Sequence, residues 1–511
     1  RREWDFIIIG GGATGLGAAI DAAARGYRPL LVEQSDFAKG TSSRSTKLVH
    51  GGVRYLKQGN VALVLDALRE RGRLLQNAPH LVKNLPFVVP NYDWWEGPFY
   101  GIGLKMYDLL AGRQGFGRSR HLTKERTLSL LPTIEPKGLL GGVAYHDGQF
   151  DDARLAINMA QTAARQGAVL VNYLEVVSLV REGGEVRGVE VREVESGESF
   201  QIRGRAVINA TGVFADRIRG MDDPESPAMI APSQGVHIVL DRSFLPGETA
   251  IMVPKTDDGR VLFAIPWLGR TLVGTTDTPV PAPSLEPKPL REELQFLLEH
   301  AGRYLSIDPR PADVLSTFAG LRPLVRGDDE SAATAALSRD HTLHISASGL
   351  ITITGGKWTT YRKMAEDTID LAAQIAGLDE RRSVTADLPI HGHHRNAETF
   401  GTLAFYGADA PEVLSLIRSS SRYGAKLHPD HPTRAGEVAW AARHEMARTV
   451  EDFLSRRTRT LLLDARASMA MAPAVAELLA EALGREDGWK ERQVEEFRRL
   501  AEDYLMPGGA D

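Results

Sequence analysis

The sequence predicts an α/β protein in three parts: a domain built on a parallel sheet, an antiparallel-sheet domain inserted into it, and a helical C-terminal domain. Three observations predict this. The apolar run Phe6-Ile7-Ile8-Ile9 leads directly into a glycine-rich turn and a small-residue helix, as a strand buried on both faces of a parallel sheet does. Strand-turn pairs return at Val207–Gly212 and at 350–356, with strand-rich segments between them. After residue 395 the composition turns to Ala, Leu, Arg and Glu, which suits helices.

The elements follow in order. Gly10-Gly11-Gly12-Ala13-Thr14-Gly15 opens a helix to Ala24, closed by Gly26 as a C-terminal cap, and Leu30-Leu31-Val32-Glu33 is the second strand. Asp151 caps a helix that reaches Gln166-Gly167, and 168–171 is again strand-like. From Val176 to Glu198, β-branched runs alternate with Gly183-Gly184 and Ser196-Gly197 turns, an antiparallel meander. Residues 232–278 are strand-rich, the proline-dense 279–283 is loop, and 290–305 is helical. A last strand at 350–354 turns at Gly355-Gly356 into a helix to Ile375; 378–398 reads as a linker before helices to about residue 505. The expected division is 1–75, 145–225 and 314–378 for the parallel-sheet domain, 76–144 and 226–313 for the inserted domain, and 395–511 for the helical one.

Composition bounds the chemistry. The chain has 511 residues, a quarter of them charged, and a net charge of only -5, so nothing marks a nucleic-acid binder and any basic site is local. There is no cysteine. Disulfide shuttling, thiolate-held clusters and thiol-attached cofactors are therefore excluded, and electrons in any redox reaction pass through a bound organic group. The chain is in a strand by Phe6, which leaves no room for a signal peptide; its start without methionine suggests trimming. No apolar run is long enough to span a bilayer.

Gly10, Gly12 and Gly15 form G-x-G-x-x-G, a weak pattern alone. Here it follows a strand, opens a helix through Ala13 and Thr14, and is followed by Glu33 at the end of the next strand. That arrangement holds a pyrophosphate on backbone amides while a carboxylate takes the ribose hydroxyls. A carboxylate there disfavours a ribose phosphate, hence NADP. Only one complete fingerprint is present, and Ala210-Thr211-Gly212 and Gly355-Gly356-Lys357 resemble the later contact turns of FAD proteins, so the expected cofactor is FAD.

A longer set of motifs is more specific. Thr41-Ser42-Ser43-Arg44-Ser45-Thr46-Lys47-Leu48-Val49-His50-Gly51-Gly52-Val53-Arg54-Tyr55-Leu56 is followed in order by Gly235-Val236-His237, Ile265-Pro266-Trp267, Gly274-Thr275-Thr276-Asp277, Gly320-Leu321-Arg322-Pro323-Leu324, Ser338-Arg339-Asp340-His341 and Gly355-Gly356-Lys357-Trp358-Thr359-Thr360-Tyr361-Arg362. Over residues 4–375 the chain resembles the respiratory, quinone-linked glycerol-3-phosphate dehydrogenases. It departs from them at Val236, where they have Ser, and at Val213-Phe214, where they have Pro-Trp. The first departure is expected to alter a contact beside the substrate, the second the packing around the adenosine.

The resemblance implies a Rossmann-like FAD-binding domain, an inserted substrate or cap domain, and oxidation of sn-glycerol 3-phosphate to dihydroxyacetone phosphate by hydride transfer to FAD, with reoxidation by a membrane quinone. It adds Thr41, Ser42, Ser43, Lys47, His50, Gly51, Gly52, Val176, Gly320, Trp358 and Thr359 to the cofactor contacts, and brings Arg54, Tyr55, Thr275, Arg322, Arg339 and Lys357 to the substrate. Three arginines in matching motifs suit a phosphate dianion, because each planar fork makes paired hydrogen bonds; a single arginine is more often a surface salt bridge. Removing the hydroxyl proton needs a neutral base, for which His237 is the candidate, with Arg322 beside it in the catalytic set; a core histidine on a strand is the plain alternative.

No metal set is expected, and His391, His393 and His394 read as solvated linker residues. Competing functions are a glycerol-3-phosphate oxidase using O2, an amine or amino-acid oxidase on the same fold, and a flavin-binding sensor without turnover. Residues 94–120, with Trp94, Trp95, Phe99 and Tyr100, then Ile102, Met106, Leu109 and Leu110 near Lys105, Arg113, Arg118 and Arg120, suit either a core helix or one lying in a lipid interface. The resemblance favours the interface, and with it a cytoplasmic protein peripheral to the inner face of the cytoplasmic membrane. Whether it is a homodimer is left open.

Overall fold

The computed structural model describes residues 3–51, 61–93, 96–111, 117–254, 256, 260–326 and 341–508. Gly52, Arg54, Tyr55 and Arg339 of the expected site, and Trp94, Trp95 and Arg113, lie outside the described residues.

Two sheets organise the chain. The first has eight strands, and its parallel part runs Ile351–Gly355, Ser199–Asn209, Trp4–Ile9, Pro29–Val32, Val169–Val171 in space. Trp4–Ile9 is central, with Ile7 opposite both Val207 and Leu30. Its apolar run is fully buried because both faces are covered. Helices Ala13–Ala24, Asp152–Arg165 and Tyr361–Ile375 pack on one face, and the hairpin Leu174–Glu182/Glu185–Glu193 contributes Val176, Val186 and Val189 to the other. The helix Asp152–Arg165 starts where expected, with the Asp151 side chain accepting from the Arg154 N–H at 3.2 Å.

The second sheet has ten strands, mostly antiparallel. Its strand Ile230–Asp241 lies between Val314–Val325 on one side and Arg270–Gly274 and Thr278–Pro279 on the other; the order continues through Leu262–Trp267, Ala250–Val253, Val82–Asn91 and Gly141–Phe150 to the short strand Leu48–Val49. The chain thus leaves the cofactor-side loop at Leu48 directly into this sheet.

The tail is helical, with Ala410–Arg418, Ala435–His444, Ala465–Leu483 and Asp487–Glu502 as its main helices and a π-helical turn at Asp452–Arg457. It does not stand apart: Val438, Phe453, Leu461, Met471 and Leu479 share one apolar core with Phe87, Val239, Ile265 and Phe318 of the second sheet. Its charges are also tied inward. Arg456 and Arg457 both bind the fully buried Asp36, Arg154 makes a paired bond to Glu445 at 2.7 and 2.8 Å, and Lys39 meets both Glu451 oxygens at 2.6 and 2.7 Å. Buried charges persist only where such partners replace water.

One linker expectation fails. His391 is buried, with Nε2 2.5 Å from Asp409 Oδ2 and its carbonyl accepting from Asn158 at 2.8 Å. The linker packs on the helix Asp152–Arg165 instead of running through solvent, so this histidine is a core residue and not a solvated one.

Candidate functional site

An elongated cleft follows the switch of direction at the ends of the parallel strands, where open α/β sheets present ligand sites. It is lined by Gly10, Gly12, Ala13, Thr14 and Glu33 of the first strand–turn–helix unit, by Thr41, Ser42, Val176, Ala210, Thr211 and Gly212, and by Gly355, Gly356, Lys357 and Trp358. The remaining expected cofactor residues support these from behind. Gly15 packs helix on strand, where a Cβ would overlap the Gly10 carbonyl oxygen. Gly320 lets the sheet approach Arg44, where a Cβ would lie 2.5 Å from the Arg44 carbonyl oxygen. The Gly51 amide donates to the Tyr107 hydroxyl at 2.9 Å.

The segment 41–50 is clamped from two sides. Thr41 Oγ1 donates to the Leu321 carbonyl at 2.6 Å, Trp358 Nε1 to the Ser42 carbonyl at 3.1 Å, and Thr359 Oγ1 to the His50 carbonyl at 3.4 Å. Ser43 gives its carbonyl to Lys47 Nζ at 2.7 Å. Lys47 itself is away from the cleft: its fully buried ammonium binds Asp152 at 2.8 and 2.9 Å and lies 4.9 Å from the Trp267 ring centroid and 5.3 Å from that of Phe318. Its motif position suggested a cofactor contact, whereas the geometry makes it an anchor of the segment.

The cleft's chemistry suits a dinucleotide. Gly12 is the N-cap of the helix, its side makes no capping bond, and no acid sits in the first turn, so the positive helix end faces the cleft. A Cβ at Gly12 would meet nothing nearer than Ser42 Oγ at 3.1 Å, so the fold tolerates a side chain that an approaching pyrophosphate would not. The Glu33 carboxylate is oriented by the amides of Gly11 at 2.7 Å and Ser35 at 2.8 Å; burial raises its pKa and those two bonds oppose the rise. The residues present therefore fit FAD. Lys39 and Arg217 also line the cleft and escaped the sequence reading; Lys39 follows the Glu33 strand closely enough to have been suspected.

Beyond the cleft, strand Ile230–Asp241 presents Gly235 and His237 on one face, two residues apart. Arg322, opposite Ser233 in the register, folds its guanidinium over the bare Gly235 backbone: a Cβ there would lie 2.5 Å from Arg322 Nη2 and 2.6 Å from Thr275 Oγ1. The guanidinium is held by Asp277 Oδ1 at 3.0 Å, the Thr276 carbonyl at 2.9 Å and Thr275 Oγ1 at 3.3 Å. Val236, between them, is fully buried with its side chain in the core on the opposite face, and its amide donates to Thr276 Oγ1 at 2.9 Å. Val213 and Phe214, the other departure from the family pattern, line the cleft.

His237 lies opposite Gly274 and Phe318. The missing Cβ of Gly274 leaves room for the imidazole, which stacks on Phe318 with centroids 4.8 Å apart and planes 15° from parallel. Nε2 is 2.9 Å from Thr46 Oγ1, and Nδ1 is buried without a hydrogen-bond partner among the described residues. Burial, then the charges of Lys47 and Arg322, hold the imidazole well below its ordinary pKa, so it rests neutral. Thr46 was not among the expected site residues, because a threonine between Ser45 and Lys47 carries no signal of its own.

Comparison with known proteins agrees with this geometry. Residues 5–362 match the FAD dependent oxidoreductase family, and residues 350–493 the C-terminal domain of alpha-glycerophosphate oxidase. The chain is 42% identical to the mitochondrial glycerol-3-phosphate dehydrogenase of Homo sapiens, over 98% of this chain and 73% of that protein, and 42% identical to that of Arabidopsis thaliana, over 98% and 85%. The crystal structure of the glycerol-3-phosphate dehydrogenase from Bacillus halodurans complexed with FAD superposes with a TM-score of 0.80 at 30% identity, covering 100% of this chain and 97% of that one. A glycine oxidase from Bacillus cereus shares the fold alone, at a TM-score of 0.52 and 21% identity over 74% of this chain and 96% of that one.

Proposed function

The chain belongs to the FAD-dependent oxidoreductase family, among its glycerol-3-phosphate dehydrogenases, and from that premise we propose that it oxidises sn-glycerol 3-phosphate to dihydroxyacetone phosphate. FAD is the resident cofactor, and when bound it supplies the acceptor for a hydride. The observation that carries the substrate reading is the meeting of Arg322 and Thr275 over Gly235, two residues from His237 on the same strand face. A fixed guanidinium and a hydroxyl over bare backbone suit a phosphate, and a neutral imidazole nearby suits the proton of a secondary alcohol.

The roles follow. The Gly12–Ala13 turn admits the pyrophosphate and Glu33 holds the ribose. Arg322 and Thr275 hold the substrate phosphate, with Arg54, Tyr55, Arg339 and Lys357 assigned to it by their motifs. His237 takes the hydroxyl proton. Anaerobic mixing with glycerol 3-phosphate should bleach the flavin absorbance; protein that cannot be loaded with FAD, or that keeps its colour with this substrate, overturns the reading. Timed exposure of the bleached protein to a quinone or to O2 then separates dehydrogenase from oxidase.

Reoxidation by a membrane quinone has support at the surface. Helix Glu96–Ala111 turns Leu104 and Tyr107 inward, Tyr107 packing on Val64 and Leu68, but leaves Leu109 81% and Met106 49% exposed. Val61 and Leu65 on the neighbouring helix Val61–Asn77 are also exposed, and Lys105, Arg118 and Arg120 lie in solvent. An apolar patch with cations nearby suits an anionic lipid interface. Among the described residues no helix is long and apolar enough to cross a membrane. The attachment proposed is by this surface, at the inner face of the cytoplasmic membrane. Binding to anionic vesicles at low salt, weakened by Leu109→Glu, is the expected result; equal binding by wild type and variant removes this patch as the contact.

A further inference from the structure

We propose that Thr46 is a further catalytic residue, whose hydroxyl passes the proton of the substrate's alcohol to His237 Nε2. The inference rests on the reading of His237 as the base and concerns how the base is reached. The imidazole is 2% exposed and cannot turn toward a ligand. Phe318 stacks on one face at 4.8 Å, and the Gly274 backbone lies so close to Cδ2 that a methyl group would overlap it. Among the described residues Nδ1 is buried without a partner, and the atom on Nε2 is Thr46 Oγ1 at 2.9 Å.

Thr46, unlike the histidine, is partly exposed. It lies four residues beyond Ser42, on the segment that lines the cofactor cleft. Its place is set by both neighbours. Ser45 gives its amide at 3.1 Å and its hydroxyl at 2.7 Å to Asp152 Oδ2, and Lys47 Nζ binds both oxygens of the same carboxylate. Asp152 opens the helix Asp152–Arg165, so a rigid element fixes Thr46 on either side. A threonine pinned this way is pre-organised for transfer, because a hydroxyl accepts one proton as it donates another.

The step balances. The substrate O–H breaks and its proton goes to Thr46 Oγ1, while the O–H of Thr46 breaks and its proton goes to Nε2. With FAD bound, the hydrogen on the carbon that bears the hydroxyl would leave with its electron pair as hydride to it while the carbon–oxygen double bond forms, and the chain would hold one extra proton as imidazolium. For this the resting histidine must carry its proton on Nδ1.

Two measurements test it. In rapid anaerobic mixing of FAD-loaded protein with glycerol 3-phosphate, Thr46→Val should reduce the flavin about 100-fold more slowly or worse, the size expected for a lost proton-transfer partner. Thr46→Ser should keep the rate within a few fold, and inorganic phosphate should perturb the flavin spectrum at the same concentration in all three proteins. Thr46→Ala replaces the valine variant should the latter lose FAD. A wild-type rate in Thr46→Val beside a slow His237→Ala overturns the relay and leaves His237 as a direct base; wild-type rates in both overturn the base reading itself. Independently of any variant, 15N-histidine spectra of the oxidised protein should show His237 as the Nδ1–H tautomer, and Nε2–H there overturns the relay.

Discussion

Arg322 Nη1 lies 3.0 Å from Asp277 Oδ1, and the same carboxylate oxygen accepts from the Ser233 hydroxyl. The arginine is therefore aimed before any substrate arrives, by a strand neighbour in its own register and a carboxylate beyond the next turn. Removing it, as Arg322→Ala, should lower kcat/KM for glycerol 3-phosphate by about 10- to 150-fold, the worth of one charge-assisted bond of about 1.5–3 kcal/mol. Turnover of unphosphorylated glycerol should scarcely change. Arg322→Lys keeps the charge without the fork and should recover only part. Asp277→Asn should fall between, by loosening the aim. Equal loss with both substrates would place Arg322 in the hydride step instead.

Gly235→Ala tests the same site by volume alone. The added methyl would meet Arg322 Nη2 and Thr275 Oγ1 at 2.5 and 2.6 Å, so both must move. The expected outcome is a rise in KM for glycerol 3-phosphate with FAD content and melting temperature near wild type, since neither contact belongs to the apolar core. Unchanged steady-state kinetics would show that the two groups do not hold the substrate.

At the cofactor turn, two glycines should separate binding from folding. At Gly12 an added Cβ would meet only Ser42 Oγ at 3.1 Å, so Gly12→Ala should yield folded protein and Gly12→Val, bulkier toward the pyrophosphate, colourless protein. Gly15→Val collides with the Gly10 backbone and should fail to fold. Circular dichroism and flavin absorbance on the purified variants distinguish the two; a yellow Gly12→Val protein contradicts the pyrophosphate assignment. Glu33→Ala should fold and bind FAD more weakly.

Acid sensitivity should trace to His80. Burial, followed by the neighbouring charges of Arg154, His393 and His391, lowers its pKa from the ordinary value to about 3. Above pH 6.5 it is neutral in both folded and unfolded chains and its full contribution is present. As pH falls below 6.5 only the unfolded chain takes the proton, so stability declines, by roughly 1–2 kcal/mol at pH 5. His80→Gln should therefore melt closer to its pH 7.5 temperature at pH 5 than wild type does. Parallel loss in both proteins would assign the acid sensitivity elsewhere.

Much of this was legible before the structure, for physical reasons. Phe6–Ile9, the glycine turn and Glu33 are local signals, read from strand burial and helix-end chemistry within thirty-odd residues. His237 and Arg322 were legible through their motifs, and the strand register explains why Gly235 and Gly274 accompany them. What escaped depends on contacts across long sequence separations. Thr46 is placed on His237 by Asp152, which pins its neighbours, Lys47 points inward only because a buried carboxylate waits there, and His391 is buried only because a linker packs on a distant helix. No periodicity or motif encodes such pairings one residue at a time.

The buried carboxylate of Asp36, three residues past Glu33, has its guanidinium partners on Arg456 and Arg457, about 420 positions later. Beside it Lys39 lines the cleft and is held by Glu451. On the ribosome, then, the first strands and the glycine turn emerge early, but Asp36 beside their cleft stays without its counter-charges until residues 456 and 457 have been made. The order of synthesis and the order of completion are reversed: the wall of the cleft begun first is finished late.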